Sequence, residues 1–382
     1  GDVVLVTGTT GALGSYLLAE LVSNPEVSRI YALNRPHSSH LWELEKRQEK
    51  SLLEKGMEAN SILGSDKVKL LEADVALPRF GLGDEVYKAM RSSVTHIIHN
   101  AWPVNFTLAL ASFDTNIKGL RNLIDFALMS FLPCPPKLLF TSSSTVFQSE
   151  PMAAQFLPEA PISPEVAIGP GYTEAKWVAE EVLLQATKRS KLMAVIVRVA
   201  QLSGGLNGAW KTAEWVPALV QSGRICGCLP ADEKNVDWVP VHIAAKSLID
   251  FRTCDNQQSC TIVHLVHPRP TSWSSLARIL ASDLSIPLVP FVDWLTKLEQ
   301  CGKIDPGTTD NQPGVKLVRA LPALRMLSFF RFALENAGES GNALGFPSLL
   351  FDEAVRLSTT LSDTPPLGES DARMWLKYWR SV

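Results

Sequence analysis

Tyr172-Thr173-Glu174-Ala175-Lys176 sets a tyrosine and a lysine four residues apart. On a helix that spacing puts both side chains on one face. A phenol ordinarily titrates at about 10, and a neighbouring ammonium is expected to lower that value. Tyr172 would then act as general acid toward a carbonyl oxygen that is gaining charge. Upstream, Thr141-Ser142-Ser143-Ser144-Thr145 closes an apolar run. Ser143 would hold the same oxygen by a hydrogen bond, although Ser142 and Ser144 stand one residue to either side.

A second constellation opens the chain. Thr7-Gly8-Thr9-Thr10-Gly11-Ala12-Leu13-Gly14 reads T-G-x-x-G-x-x-G between an apolar strand and a helical pattern. Gly8 suits a tight turn, Gly11 lets backbone approach a pyrophosphate, and Gly14 allows close helix packing. The helix N-terminus then faces the anion. Leu33-Asn34-Arg35 ends the next strand. Dinucleotide sites for NAD usually place an acid there for the ribose hydroxyls. Here Asn34 takes that place, and the Arg35 guanidinium suits a 2′-phosphate, so the expected cofactor is NADPH. Asp74-Val75 and Asn100-Ala101 follow the third and fourth strands, where adenine and the length of the cofactor would lie; each reads equally well as a turn.

The elements that must carry these groups alternate. Strands are expected at Val3–Thr7, Arg29–Leu33, Val68–Glu72, Thr95–His99, Lys137–Thr141 and Met193–Val199. Helices are expected at Ala12–Val22, Leu41–Lys55, Asp84–Arg91, Leu108–Ser130 and Gly171–Ser190. That order implies an α/β fold, a doubly wound parallel Rossmann sheet with right-handed crossovers. Gln148–Gly171, rich in proline, reads as a lid or linker. Asp237–Val241 and Thr261–Val266 read as strands returning to the sheet edge, and Thr271–Val382 as a mainly helical tail with Ser348–Leu361 its clearest helix. The domain reading is therefore residues 1–203 for the cofactor, joined by 237–267, and a smaller, mainly helical C-terminal domain over 204–382 for substrate.

The 382 residues are 46% apolar and 20% charged, enough for a large core, with a net charge of −3. No basic excess suits nucleic acid, and no apolar run suits a membrane helix. Six sparse cysteines imply a reduced, cytoplasmic protein. A strand beginning at residue 3, without an initial Met, suggests a module of a longer polypeptide. His242, His264 and His267 lack metal-ligand spacing, so no metal is expected. Trp210, Trp215 and Trp238 could line a substrate mouth or pack a core. Gln201 and Arg198 could touch cofactor or substrate, and Arg198 could equally sit in a buried ion pair.

TGTTGALG, IIHNAW, FTSSSTVF, GYTEAK and VDWVPV together resemble the extended short-chain dehydrogenase/reductases. LEADVALPRFGL and VRVAQLSG resemble, within them, the terminal thioester-reductase domains of fungal adenylating reductases and of polyketide or nonribosomal peptide synthases. The resemblance covers residues 1–270 and fades over the tail. It implies Ser143, Tyr172 and Lys176 as the catalytic group, with Lys176 also on the nicotinamide ribose. It implies reduction by NADPH of an acyl thioester to an aldehyde, and on to the alcohol if a second hydride follows. The implied partners are an acyl carrier (thiolation) domain bearing phosphopantetheine and upstream adenylation or synthase domains. Carrier domains of this kind are acidic around the attachment serine, and the tail offers Arg278, Lys297, Lys316, Arg319, Arg325 and Arg331; the Lys316–Arg331 stretch is expected to contribute to docking, or else to be a solvated basic helix. The rival readings are a free-standing NADP-dependent ketone or aldehyde reductase or an epimerase, and a non-catalytic NADP-binding module.

Overall fold

The computed structural model describes residues 1–36, 43–149, 156–253, 258–303, 321–335 and 341–382. Seven strands form one sheet: β1 Asp2–Thr7, β2 Val27–Asn34, β3 Val68–Glu72, β4 His96–His99, β5 Lys137–Ser143, β6 Ala194–Val199 and β7 Cys260–Leu265. Their order across the sheet is β7-β6-β5-β4-β1-β2-β3, and every neighbouring pair is parallel. The order reverses direction between β1 and β4, and ligands bind such sheets outside the carboxyl ends of the strands at that switch.

The strands are near-continuous apolar runs because both faces are covered. Val4, Leu5 and Val6 of β1 and Leu138 of β5 are fully buried. One face is packed by α1 (Ala12–Ser23) and, from far along the chain, α7 (Val241–Thr253), whose Leu17, Leu18, Leu21 and Leu248 share one core. α2 (Leu44–Glu54) joins that side. The other face is packed by α3 (Asp84–Arg91), α4 (Asp114–Leu128) and α5 (Gly171–Arg189), through Met90, Leu120, Leu123 and Leu183.

The C-terminal part has its own core, with Trp210, Trp238, Trp273, Trp294, Trp375 and Trp379 at its centre. Around it pack α6 (Trp215–Cys226), α8 (Trp273–Leu284), α9 (Phe291–Lys303), α10 (Leu327–Glu335) and α11 (Glu369–Ser381). Trp210 and Trp238 are thus core residues, and Trp215 is partly exposed beside them.

Two expectations are corrected here, and a third gains detail. Cys260–Leu265 does extend the sheet, but Asp237–Val241 does not reach it. Val239–Pro240 pairs only with Leu202–Ser203, proline offers no N–H to continue a ladder, and Val241 already begins α7. Ser348–Leu361 is not one helix. Ser358 is extended, and its hydroxyl accepts from Leu361 N at 3.1 Å, capping a new helix at Thr359–Asp363 after the short Asp352–Leu357. The clearest tail helices are α8, α9 and α11. Finally, the proline-rich stretch is anchored over its described part. Leu157 bridges to Leu349, and Glu159 accepts from the N–H groups of His264, Glu353 and Ala354. Burial raises the Glu159 carboxyl to about 7.

Candidate active site

β1 turns sharply into α1 at Gly8, whose φ is +77°. A Cβ there would meet Ala101 Cα at 3.0 Å, and a Cβ on Gly14 would fall 2.0 Å from Gly8 O. Both positions therefore demand glycine, one for conformation and one for closeness. The N-cap of α1 is Gly11, with no side-chain cap, so the first-turn amides are left to serve an anion. Thr10 and Leu13 lie on this rim.

Other side chains brace the loop. Asn34 is buried; its Oδ1 accepts from Thr10 N at 3.2 Å and its Nδ2 donates to Thr9 Oγ1 at 2.7 Å. Thr9 Oγ1 donates to Gln48 Oε1 at 2.7 Å, and Gln48 Nε2 returns to Thr9 O at 3.0 Å. Ser51 Oγ donates to Thr10 O. α2 was readable as a charged amphipathic helix, yet its Gln48 and Ser51 are what hold the loop. Arg35 is exposed just past β2. Arg47 of α2 was not foreseen: its Nη2 donates to Arg35 O at 3.0 Å, while its Nε is buried without a partner. Their separation in the sequence matches no helical or strand spacing that would have paired them.

Thr7 Oγ1 accepts from Asn100 N at 3.1 Å and Ala101 N at 2.9 Å, so its own proton goes to His99 Nδ1, 3.0 Å away. Burial, helped by Lys176, holds His99 neutral, with its pKa down at about 3. This tie fixes the end of β4 against the glycine loop. Asp74 Oδ1 accepts from Ala76 N at 2.9 Å, a turn role, and Val75 O accepts from Asn122 Nδ2.

β5 and α5 bring Ser143, Tyr172 and Lys176 together beside β4. The three neighbouring serines have different surroundings. Ser142 Oγ donates to Glu180 Oε1 at 2.5 Å in a buried cluster. Ser144 begins a 3₁₀ turn and lines a cleft with Gln201, Asp237, Trp238 and Phe346. Ser143 Oγ accepts from Thr145 N and Thr145 Oγ1 and lies against the Tyr172 phenol. Gln201 Oε1 accepts from Trp215 Nε1 at 2.6 Å. Arg198 takes the ion-pair alternative, holding Glu180 through Nε and Nη2, the latter at 2.8 Å; both residues are buried. His264 meets Arg198 and Leu350 O, His267 meets Pro365 O, and His242 lies apart near Lys246.

The expected lowering of the Tyr172 pKa does not occur. Lys176 Nζ lies 5.8 Å from the centre of the Tyr172 ring and donates instead to Thr141 O at 2.6 Å. It sits over Trp102 at 4.4 Å and Phe140 at 4.7 Å. Burial pushes the Tyr172 phenol up to about 12, with Ser143 opposing. Burial also brings the Lys176 ammonium down to about 7, with Glu180 opposing. Desolvation outweighs the mutual effect of the two groups.

Residues 6–248 match the NAD-binding family described as male sterility protein. The chain belongs to that family. Like other members of the male sterility family it carries a nicotinamide-dinucleotide site, and the uncapped N-terminus of α1 and the close glycine approaches fit one. Its relatives include the adenylate-forming reductase Nps10 of Heterobasidion annosum, 44% identical over 100% of this chain and 35% of the relative. This male sterility family member thus spans about a third of the length of such relatives. Its fold is that of the terminal R domain from the myxalamid PKS-NRPS pathway, with a TM-score of 0.77, 22% identity and coverage of 100% and 91%. It is also that of a thiolation-reductase di-domain from an archaeal non-ribosomal peptide synthetase, with a TM-score of 0.73, 19% identity and coverage of 100% and 75%. Among the described residues no helix is long and apolar enough to cross a membrane.

Proposed function

We propose that this chain is the NADPH-dependent reductase module of a larger cytoplasmic enzyme, and that it releases an acyl group from a carrier-bound thioester as an aldehyde. The observation that carries the reading is the convergence of Ser143, Tyr172 and Lys176 beside the glycine loop at the carboxyl edge of the sheet. The adenylate-forming and carrier-linked relatives support the substrate class.

NADPH suits Arg35, exposed just past β2, together with Arg47, which holds the Arg35 carbonyl and pairs with Glu72 beside it. The glycine loop and Lys176 would hold the cofactor, which when bound would supply hydride to the thioester carbonyl carbon. Ser143 holds the carbonyl oxygen, and charge developing there is stabilised by its hydroxyl. Tyr172, with a pKa of about 12, keeps its proton at every working pH and gives it to the nascent alkoxide. The hemithioacetal then breaks its C–S bond: its hydroxyl proton returns to Tyr172 as C=O re-forms, and the departing carrier thiolate takes a proton from water. Lys176 anchors the ribose edge in its charged form.

The basic residues of the tail differ in what they leave for a carrier. Lys316 and Arg319 lie outside the described residues. Arg331 is paired with Glu299 at 2.7 Å and Arg278 with Glu233 at 3.4 Å, leaving Lys297 and Arg325 exposed. The test of the function is consumption of NADPH with an acyl thioester on a carrier domain, against a free ketone and a free aldehyde. Release of one thiol per turnover from the carrier is expected. Turnover of ketone alone would refute the reading, and tight cofactor binding without any turnover would mark a non-catalytic module.

A further inference from the structure

The segment after β4, Trp102-Pro103-Val104-Asn105-Phe106-Thr107-Leu108-Ala109-Leu110, contains no charged residue. It runs directly over the start of α5. A Cβ on Gly171 would meet Leu110 N at 2.3 Å and Leu108 O at 2.5 Å, so the missing side chain is what lets the segment lie there. Asn105 Oδ1 accepts from Thr107 N at 2.9 Å and Thr107 Oγ1 at 2.7 Å, fixing the turn around Phe106. The Phe106 ring stands edge-on to the Tyr172 ring, 4.9 Å between centres, yet 49% of Phe106 is exposed. Val104 is 70% exposed, and Leu108 is exposed too. Ile168, on the approach to α5, is likewise exposed.

Apolar side chains left in water beside a reacting group are the usual mark of a ligand surface. We infer that this ledge receives the acyl group of the substrate, and that it selects uncharged, apolar acyl chains or rings over charged ones. The inference rests on the thioester-reductase reading and deepens it. Contact with Tyr172 decides the occupant: whatever covers Phe106 lies within one ring's width of the carbonyl. A thioester has two ends. The cleft lined by Ser144, Gln201 and Asp237 is left to the pantetheine arm, whereas on the ledge Asn105 and Thr107 are tied to each other and Val104, Phe106 and Leu108 face outward. A terminal carboxylate or ammonium on the ledge would lose hydration without a counter-charge.

The test compares kcat/KM for acetyl, hexanoyl, benzoyl and succinyl pantetheine thioesters with NADPH. Hexanoyl and benzoyl should exceed acetyl by about tenfold, from the apolar area they cover, and succinyl should be poorest. Phe106→Ser and Val104→Ser should each collapse the hexanoyl-to-acetyl ratio through KM, and Phe106→Leu should restore most of it. Ratios unmoved by both serine variants would overturn the ledge. In parallel, the corresponding non-reducible acyl amides are titrated by calorimetry with NADP⁺ present. No turnover of any thioester would refute the reductase reading; the amide series then decides the ledge alone, which equal dissociation constants across it would overturn.

Discussion

Lys176 is buried, donates to a backbone carbonyl, and has its pKa brought down to about 7. In the free chain it is therefore about one-tenth charged at pH 8 and about nine-tenths charged at pH 6. The proposed role requires the charged form when NADPH is bound, and the cofactor's phosphates favour that form. Binding at pH 8 should thus take up about 0.9 proton at this site, and at pH 6 only about 0.1. The assay is calorimetry of NADPH binding in two buffers of different ionisation enthalpy at each pH. Lys176→Met serves as the reference, because it removes this proton and leaves any titration of the 2′-phosphate in place. The native-minus-variant difference should be near one proton at pH 8 and nearly vanish at pH 6. An equal difference at both pH values, or none, would show that Lys176 does not gain charge with the cofactor. His99 beside it does not contribute, since its pKa lies near 3 and it is neutral throughout.

Tyr172→Phe should lower turnover by about 10²–10⁴ while NADPH affinity is kept; near-native turnover in a stopped-flow assay would remove Tyr172 from the chemistry. Because Tyr172 holds its proton to about pH 12, kcat measured from pH 7 to 10 should show no alkaline limb from the phenol, and a limb abolished by Tyr172→Phe would contradict this. Arg47→Ala should weaken NADPH by about tenfold to a hundredfold and leave NADH within about twofold, whereas equal losses in titrations of both would mean Arg47 only supports the fold. Gly14→Ala puts a carbon 2.0 Å from Gly8 O, so cofactor binding should be lost and the melting temperature should fall; an unchanged melting curve would refute the packing argument.

The parallel sheet was legible because its strands are buried on both faces, and uninterrupted runs such as Val3-Val4-Leu5-Val6 leave little choice of element. The glycine loop was legible for a related reason: Gly8 and Gly14 answer steric demands that only glycine meets. What escaped the sequence was anything decided by desolvation or by contacts far apart in the chain. Spacing alone set Lys176 next to Tyr172 and implied a lowered phenol pKa. The fold buries both groups and sends the ammonium to Thr141 O, so the phenol rises and the lysine falls. Arg47 was one charge among many on α2, and no spacing rule pairs it with the carbonyl of Arg35. That Ser142 is engaged elsewhere was equally hidden, since its partner Glu180 comes from α5 and is held in turn by Arg198 of β6. Tail helices were misread where a serine hydroxyl at Ser358 outcompetes helix continuation, a local choice that apolar spacing does not record. The ledge over Tyr172 follows the same logic. Nothing in the spacing of Phe106 and Val104 marks them; the fold leaves both in water, with Phe106 edge-on to Tyr172, and the proposed specificity surface rests on that exposure beside a buried phenol.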